Sequence, residues 1–221
     1  RIPIEKIFNK GKIPIVVGGS GLYLEFLING FSQIPIIKKK TRTKVEDDIK
    51  KHGLKKVYEK LAIIDPEYAI KINSTDKQRI VRSLEVYEQT KKLFSYYHAL
   101  DKIKPSYTSF KILVMPDRKV LRNNCAERFK KMIQNGLIEE VYKYQKYVNN
   151  NSISKAIGYQ EILAYLKKDI SLEVAQKIAI NKTRKYAKRQ STWFKNRFNA
   201  DFMIKSSNDT SLLLESLFKI I

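Results

Sequence analysis

The sequence predicts an α/β protein with a helical segment inserted into it. Three observations point there. Residues 13–17, Ile-Pro-Ile-Val-Val, form a short apolar run that passes at once into Gly18-Gly19-Ser20-Gly21 and then an apolar, helix-length stretch. A second apolar run, Phe110-Lys111-Ile112-Leu113-Val114-Met115, reads as another strand. Between them, residues 36–104 carry helical patterning with no clear strand. A length of 221 residues suits one large domain, or one domain carrying a smaller insert. A hydrophobic share of 43% is enough for a core and excludes wholesale disorder.

The elements follow in order. The run at 13–17 has the uninterrupted apolar character of a buried parallel strand. Leu22 to Ile28 reads as a buried helix closed near Gly30. Strand, glycine turn and helix make half of a βαβ unit. Near Pro35 the texture changes to a basic run, Lys38 to Lys44, which opens the insert. Asp76 is placed to cap a helix from Lys77 to about Lys91. Pro105 closes the region. Beyond the strand at 110–115, a helix is expected from about Lys119 to Asn135, with Gly136 as the residue that ends it. A helix from Ile138 to Val148, a loop at 149–152 and a short helix after Gly158 come next. A long helix then runs from Leu172 to about Phe198, and the tail carries a short apolar piece, Phe202-Met203-Ile204, and a final helix near Leu212.

Charge narrows the partner class. Lys and Arg number 44 against 22 Asp and Glu, a formal net charge of +22. Such a balance says little about fold but makes a polyanion, most often a nucleic acid, the leading partner. The single cysteine, Cys125, excludes a disulfide framework and a Cys-based zinc site. His52 and His98 lie far apart, without metal-ligand spacing, and no metal-binding residues are expected. No apolar run approaches the roughly 20 residues of a membrane span, so no membrane association is expected. The opening residues lack a signal-peptide core, which fits a reducing cytoplasm. They also begin with Arg rather than Met, so an upstream segment is expected.

Three stretches carry candidate chemistry. Gly18-Gly19-Ser20-Gly21 follows a strand and precedes a helix, where backbone can approach a ligand and a helix N-terminus can hold phosphate. A structural tight turn is an equal reading. The pattern is neither a dinucleotide fingerprint nor a Walker loop. In the helix after Asp76, Ile80, Leu84 and Tyr87 share one face, with Arg79 and Arg82 on the other side. Two guanidiniums so placed can grip phosphates, or simply form a solvated face with intrahelical pairing. The third stretch is the sharpest. From Asn181 to Arg197 there are Lys182, Arg184, Lys185, Lys188, Arg189, Lys195 and Arg197, with no acid. Ala175, Ala179, Tyr186 and Trp193 make an apolar stripe opposite Arg184, Lys188, Ser191 and Lys195, which suits a helix docked on one side and binding a nucleic-acid backbone on the other.

Five segments, in this order, resemble the tRNA dimethylallyltransferase (isopentenyltransferase) family: Pro14 to Tyr23, Asp76 to Val86, Gly136 to Val141, Ile157 to Glu161, and Thr183 to Phe194. The resemblance implies an α/β core like that of P-loop NTPases, with a parallel sheet, at 1–35 and 105–221. It implies an inserted helical tRNA-binding domain at 36–104. It also implies transfer of a dimethylallyl group from dimethylallyl diphosphate to N6 of adenine 37 of tRNAs, with Mg2+ assisting the diphosphate leaving group. The partner implied is the tRNA anticodon arm, and a monomer is expected when the protein is complete. By motif, Gly19, Ser20, Gly21 and Tyr23 line the reaction channel, with Ser20 standing where the family has Thr against the target nucleotide. Arg42 is the basic position just inside the insert, and Gln78, Arg79 and Arg82 belong to the anticodon-loop contact motif. Arg184, Lys188, Arg189 and Gln190 belong to the C-terminal motif near the RNA. Arg118 and Arg128 are the candidates for countering diphosphate charge.

The departures are specific. The family's Gly-x-x-x-x-Gly-Lys-[Ser/Thr] loop for the prenyl diphosphate, and the Asp that acts as general base just after it, are not in this sequence. Residues 1–221 are therefore expected to lack the donor site. Where the family usually has Thr-Gly-Lys-Pro, this chain has Thr90-Lys91-Lys92-Leu93, and a commonly basic position aligns with Asn124. Three other readings compete with a transferase whose donor site lies elsewhere: a non-catalytic tRNA-binding remnant of the same family, a prenyltransferase acting on free adenine nucleotides, and a generic basic RNA-binding protein. The long basic helix argues against free nucleotides, which need no such surface.

Overall fold

The computed structural model describes residues 2–100, 102–103, 105–148, 152–206, 209, 211 and 215. The expected final helix near Leu212, and most of the loop at 149–152, lie outside them. The chain divides into two compact units, one of residues 1–11 and 23–108, the other of 12–22 and 109–221.

The first unit is helical. It contains α1 (Ile2–Phe8), the body of α2 (Gly21–Asn29), α3 (Lys39–Ile64), α4 (Pro66–Ala69), α5 (Lys77–Thr90) and α6 (Phe94–Ala99). Its core gathers Val57, Leu61, Ile80, Leu84, Val86 and Phe94 among others. Asp65 organises the helix ends. It closes α3, and its Oδ1 accepts from the Tyr68 N–H (3.2 Å) to cap α4, while Oδ2 accepts from the Ser95 N–H (2.9 Å) at the start of α6. A carboxylate 1% exposed is tolerated there because both its oxygens are bonded. Asp76 caps α5 as expected, accepting from the Arg79 N–H at 3.1 Å. That helix ends at Lys91 in the left-handed conformation (φ 59°, ψ 12°). This is the place where the related pattern has glycine, so Lys91 adopts a backbone that a side chain disfavours.

The second unit is α/β with a small sheet. β1 (Ile112–Val114) and β2 (Phe202–Ile204) pair in parallel, with Ile112 opposite Phe202 and Val114 opposite Ile204. The apolar pieces at 110–115 and 202–204 are thus both strands. The run at 13–17 is not. It has no regular structure, and Ile15 and Val17 are 84% and 90% exposed. A run of apolar residues becomes a strand only against a hydrogen-bonding neighbour, and among the described residues none pairs with it. The helix after it forms as expected, but Leu22, Tyr23 and Phe26 are exposed, so it is not buried.

The remaining helices match their sequence signals. α7 (Arg118–Gln134) starts at Asp117, whose Oδ1 accepts from the Lys119 N–H at 2.7 Å, and ends before Gly136 (φ 90°). α8 (Leu137–Tyr144) passes into a short 3-10 turn at Gln145–Tyr147. α9 (Tyr159–Leu166) follows Gly158, whose φ of 103° and close approach to the Phe129 ring both suit glycine. α10 (Leu172–Arg197) is capped by Ser171. Val141, Tyr159 and Ile162 form the buried centre between α8 and α9, with Leu137, Ile138 and Leu172 around it. The buried face of α10 carries Ala175, Ala179, Ala187 and Phe194. The predicted stripe through Tyr186 and Trp193 is one residue out of phase in its second half, and one residue is about 100° of helix rotation.

Candidate nucleic-acid interface

Within the α/β unit, the glycine turn and α10 are locked together. Gln190 Nε2 donates to the Gly19 carbonyl at 2.9 Å. Gly21 is buried, and the Trp193 indole lies against its Cα so closely that a Cβ would fall inside the ring. Gly21 therefore has a steric reason to be glycine that the turn alone does not supply. These two contacts explain why Gln190 and Trp193 lie three apart: one turn of helix spans the glycine turn. Ser20 sits between the two anchored glycines and is exposed.

From that anchor α10 presents its basic face. Lys185, Lys188, Arg189, Thr192, Trp193, Asn196 and Arg197 line one open cavity along it. Arg189 lies over the Tyr186 ring, 5.6 Å from its centroid. Trp193, which lines that cavity, and the exposed Tyr186 thus lie off the buried face of α10, which runs through Ala187 and Phe194. Arg184 differs: its Nε donates to the Arg122 carbonyl at 3.3 Å, tying α10 to α7. Of the lining residues, Thr192 and Asn196 were not read from sequence, Trp193 was read as part of the apolar stripe, and Lys185 and Arg197 were named only within the acid-free basic run. The signal was the spacing, since steps of three and four place them on one face.

The middle of α10 is tied to α9 by an ion pair with one buried partner. Glu161, 4% exposed, accepts from the Gly158 N–H at 2.9 Å and is hydrogen-bonded to the Lys182 ammonium. Burial pushes its carboxyl upward, but Lys182 and the backbone donors outweigh this and hold it below the usual carboxylate value.

On α7, Arg118 occupies the first turn and Arg128 lies ten residues on, about 15 Å along the axis. Both are exposed. Asn124 is one turn from Arg128 on the same side of the helix.

In the helical unit, the arginines read from sequence are already engaged. Arg79 Nη1 pairs with Asp76 Oδ2 at 2.9 Å. Arg42 Nε and Arg82 Nη1 share Glu85, at 3.1 and 3.6 Å. Gln78 is exposed, and Tyr23 on α2 is 70% exposed. Among the described residues no group of three His, Cys, Asp or Glu side chains could hold a metal ion. Glu85, Glu161 and Asp117 are committed to cations or backbone N–H groups. The described residues thus form no carboxylate cage of their own for Mg2+, which would have to be held largely by a bound diphosphate. Among the described residues, no helix is long and apolar enough to cross a membrane.

Comparison with known proteins gives a consistent result. The tRNA dimethylallyltransferase of Orientia tsutsugamushi (strain Ikeda) is 42% identical over 199 residues, covering 88% of this chain and 58% of the relative. That of Thermoanaerobacter sp. (strain X514) is also 42% identical over 199 residues, covering 87% and 63%. The chain thus spans about three fifths of the length of these curated relatives. A solved eukaryotic dimethylallyltransferase, captured acting on tRNA, superposes with a TM-score of 0.78 at 25% identity, covering 98% of this chain and 58% of its own. The family model described as IPP transferase matches residues 2–197, and the chain belongs to that family.

Proposed function

We propose that this chain carries the acceptor side of a tRNA dimethylallyltransferase, an enzyme that moves the dimethylallyl group of dimethylallyl diphosphate to N6 of adenine 37. The observation that carries the reading is the anchored glycine turn under the basic face of α10: Gln190 on Gly19, Trp193 on Gly21, and a row of cations leading away. A turn fixed at both ends presents the Ser20 hydroxyl and its own backbone at a constant place beside a surface suited to an RNA backbone. In the reaction, N6 of adenine attacks the first carbon of the dimethylallyl group, that carbon's bond to the diphosphate breaks, and N6 loses a proton. Ser20 is assigned to the target nucleotide, with Gly19, Gly21 and Tyr23 lining its channel. Arg118 and Arg128 are assigned to the departing diphosphate charge. Arg42, Gln78, Arg79 and Arg82 are assigned to the anticodon loop, and Arg184, Lys188, Arg189 and Gln190 to the RNA beside the turn.

The donor side is assigned elsewhere, because the sequence holds no Gly-x-x-x-x-Gly-Lys-[Ser/Thr] loop. The finer architecture proposed is a P-loop NTPase-like core with residues 36–104 as the tRNA-binding insert. Magnesium is expected to accompany the donor diphosphate, acting as the counter-charge to the leaving group.

Nucleoside mass spectrometry tests the reading. Unmodified anticodon stem-loop RNA is incubated with the chain, Mg2+ and dimethylallyl diphosphate, with and without a family P-loop segment supplied as a second polypeptide. N6-dimethylallyladenosine only with the added segment is the expected result. No product in either arm, with the complemented enzyme folded and the RNA bound, would overturn the transferase assignment in favour of a binding-only protein.

A further inference from the structure

Arg42 in the first turn of α3 and Arg82 in the middle of α5 meet on a single carboxylate. Glu85 lies 43 residues beyond Arg42 in the chain, and its side chain is 4% exposed. Its Oε1 accepts from Arg42 Nε at 3.1 Å, and its Oε2 lies 3.6 Å from Arg82 Nη1. Each guanidinium therefore takes one oxygen. The start of α3 is also tied to α5 on both sides of this point. Gln89 accepts from the Lys38 N–H and donates to the Ile36 carbonyl, each at 2.7 Å, and Lys44 pairs with Glu88 at 3.0 Å. Arg42 is thus held in place relative to Arg82.

A buried ion pair is weak evidence for stability, because desolvation offsets the attraction. Here two cations share one acid, and both reach outward: Arg42 and Arg82 are 57% and 37% exposed. With Nε of Arg42 on Glu85, terminal N–H donors of the guanidinium remain for a ligand. A guanidinium fixed before a ligand arrives loses less freedom on binding.

We infer that Glu85 is a positioning residue that sets Arg42 and Arg82 as one clamp for a single phosphodiester of the RNA. The inference rests on the tRNA reading above. The two non-bridging oxygens of a phosphodiester accept from guanidiniums as a carboxylate does, so the pair that brackets Glu85 from inside brackets a phosphate from outside.

The sign of one substitution separates positioning from bulk charge. Glu85→Gln removes a negative charge, so a purely electrostatic surface would bind anticodon stem-loop RNA more tightly and with a steeper salt dependence. If Glu85 orients the clamp, the full chain carrying Glu85→Gln binds about tenfold more weakly. Its log–log salt slope becomes shallower by about one. Glu67→Gln, an exposed acid of the same unit paired with Lys71 and no part of the tie between α3 and α5, serves as the charge control and binds at least as tightly as wild type. Tighter binding by Glu85→Gln at unchanged melting temperature would overturn the inference. Should Glu85→Gln fail to fold, a methylphosphonate scan of the stem-loop gives the answer without it. Arg42→Ala and Arg82→Ala are expected to lose sensitivity to the same single phosphate, and sensitivity lost at two different phosphates would overturn the clamp. Failure of the wild-type chain to bind the stem-loop would instead remove the tRNA reading, and this inference with it.

Discussion

The two units solve burial differently. The helical unit packs Leu61, Ile80, Leu84 and Val86 to 2% exposure or less within one continuous cluster. The α/β unit has a smaller buried centre at Val141, Tyr159 and Ile162, while Ile15, Val17 and Val114 stay at least 66% exposed. The difference follows from what each kind of element requires. A helix satisfies its own backbone and needs only a partner for one face, so helices close in sequence can finish a core locally. A parallel strand needs neighbours brought from far along the chain. The helical unit is therefore the stability reserve, and the α/β unit spends its contacts on holding α10 against the glycine turn.

The largest expected effects test that contrast directly. Ile80→Ala in the helical unit is expected to cost about 2–5 kcal/mol, toward the upper end. Ile162→Ala in the other unit falls toward the lower end, since a sparser surrounding relaxes more readily. Denaturant melts followed by far-UV circular dichroism measure both, and equal costs would break the contrast. Next comes Gly21→Ala. Its new methyl would occupy the Trp193 ring, and displacing the indole costs about 1–3 kcal/mol. Trp193 is the chain's one tryptophan, so its emission should shift to the red, whereas Ile80→Ala in the other unit leaves the native emission in place.

Acid sharpens the comparison further, because the two units carry different titrating groups. Partial burial, aided by Lys71 and Lys102, holds His98 below its ordinary 6.5 in the helical unit. The folded chain then binds fewer protons there than the unfolded one, so that contribution is full above 6.5 and fades as pH falls through the lowered value. Glu161 behaves likewise in the α/β unit but from 4.5 downward, because Lys182 and the Gly158 N–H favour its carboxylate over the opposing effect of burial. The helical unit should begin to weaken below about pH 6.5 and the other only below about 4.5. His98→Phe and Glu161→Gln should each remove its own limb from a plot of melting temperature against pH. The smallest effect expected is a gain. Lys91→Gly relieves a left-handed backbone and should stabilise α5 by about 0.5–1 kcal/mol, read as a small rise in the midpoint of the same denaturant melts.

What the sequence disclosed, and what it withheld, divides along the same line. Asp76, Gly136 and Gly158 mark helix ends through local hydrogen bonding and local backbone geometry, and those boundaries hold, whereas the caps at Asp117 and Ser171 emerged only in the structure. β1 and β2 were visible as apolar pieces, but their pairing across 90 residues was not. The run at 13–17 has strand composition without a strand's neighbour. In the site, the acid-free stretch of α10 was plain in the sequence. The seat of Trp193 on Gly21 was not, because it is a tertiary contact between distant segments. Intrahelical pairing was one reading of the α5 arginines, and Arg79 with Asp76 and Arg82 with Glu85 realise it, but sequence did not show that Arg42, 43 residues away, joins the same carboxylate.

Asp65 bears on time as well as on structure. One side chain ends α3, begins α4 and receives the first turn of α6, so three helix junctions become correct together or not at all. The span between Asp65 and Ser95 is only 30 residues, a loop whose closure is fast on the scale of domain folding. Asp65 is therefore placed to act in the folding nucleus: Asp65→Ala should mainly slow refolding, with a φ-value nearer one than zero, and leave the unfolding rate little changed. During synthesis, the helical unit could then be set before the strand at Phe202–Ile204 has left the ribosome to complete the sheet.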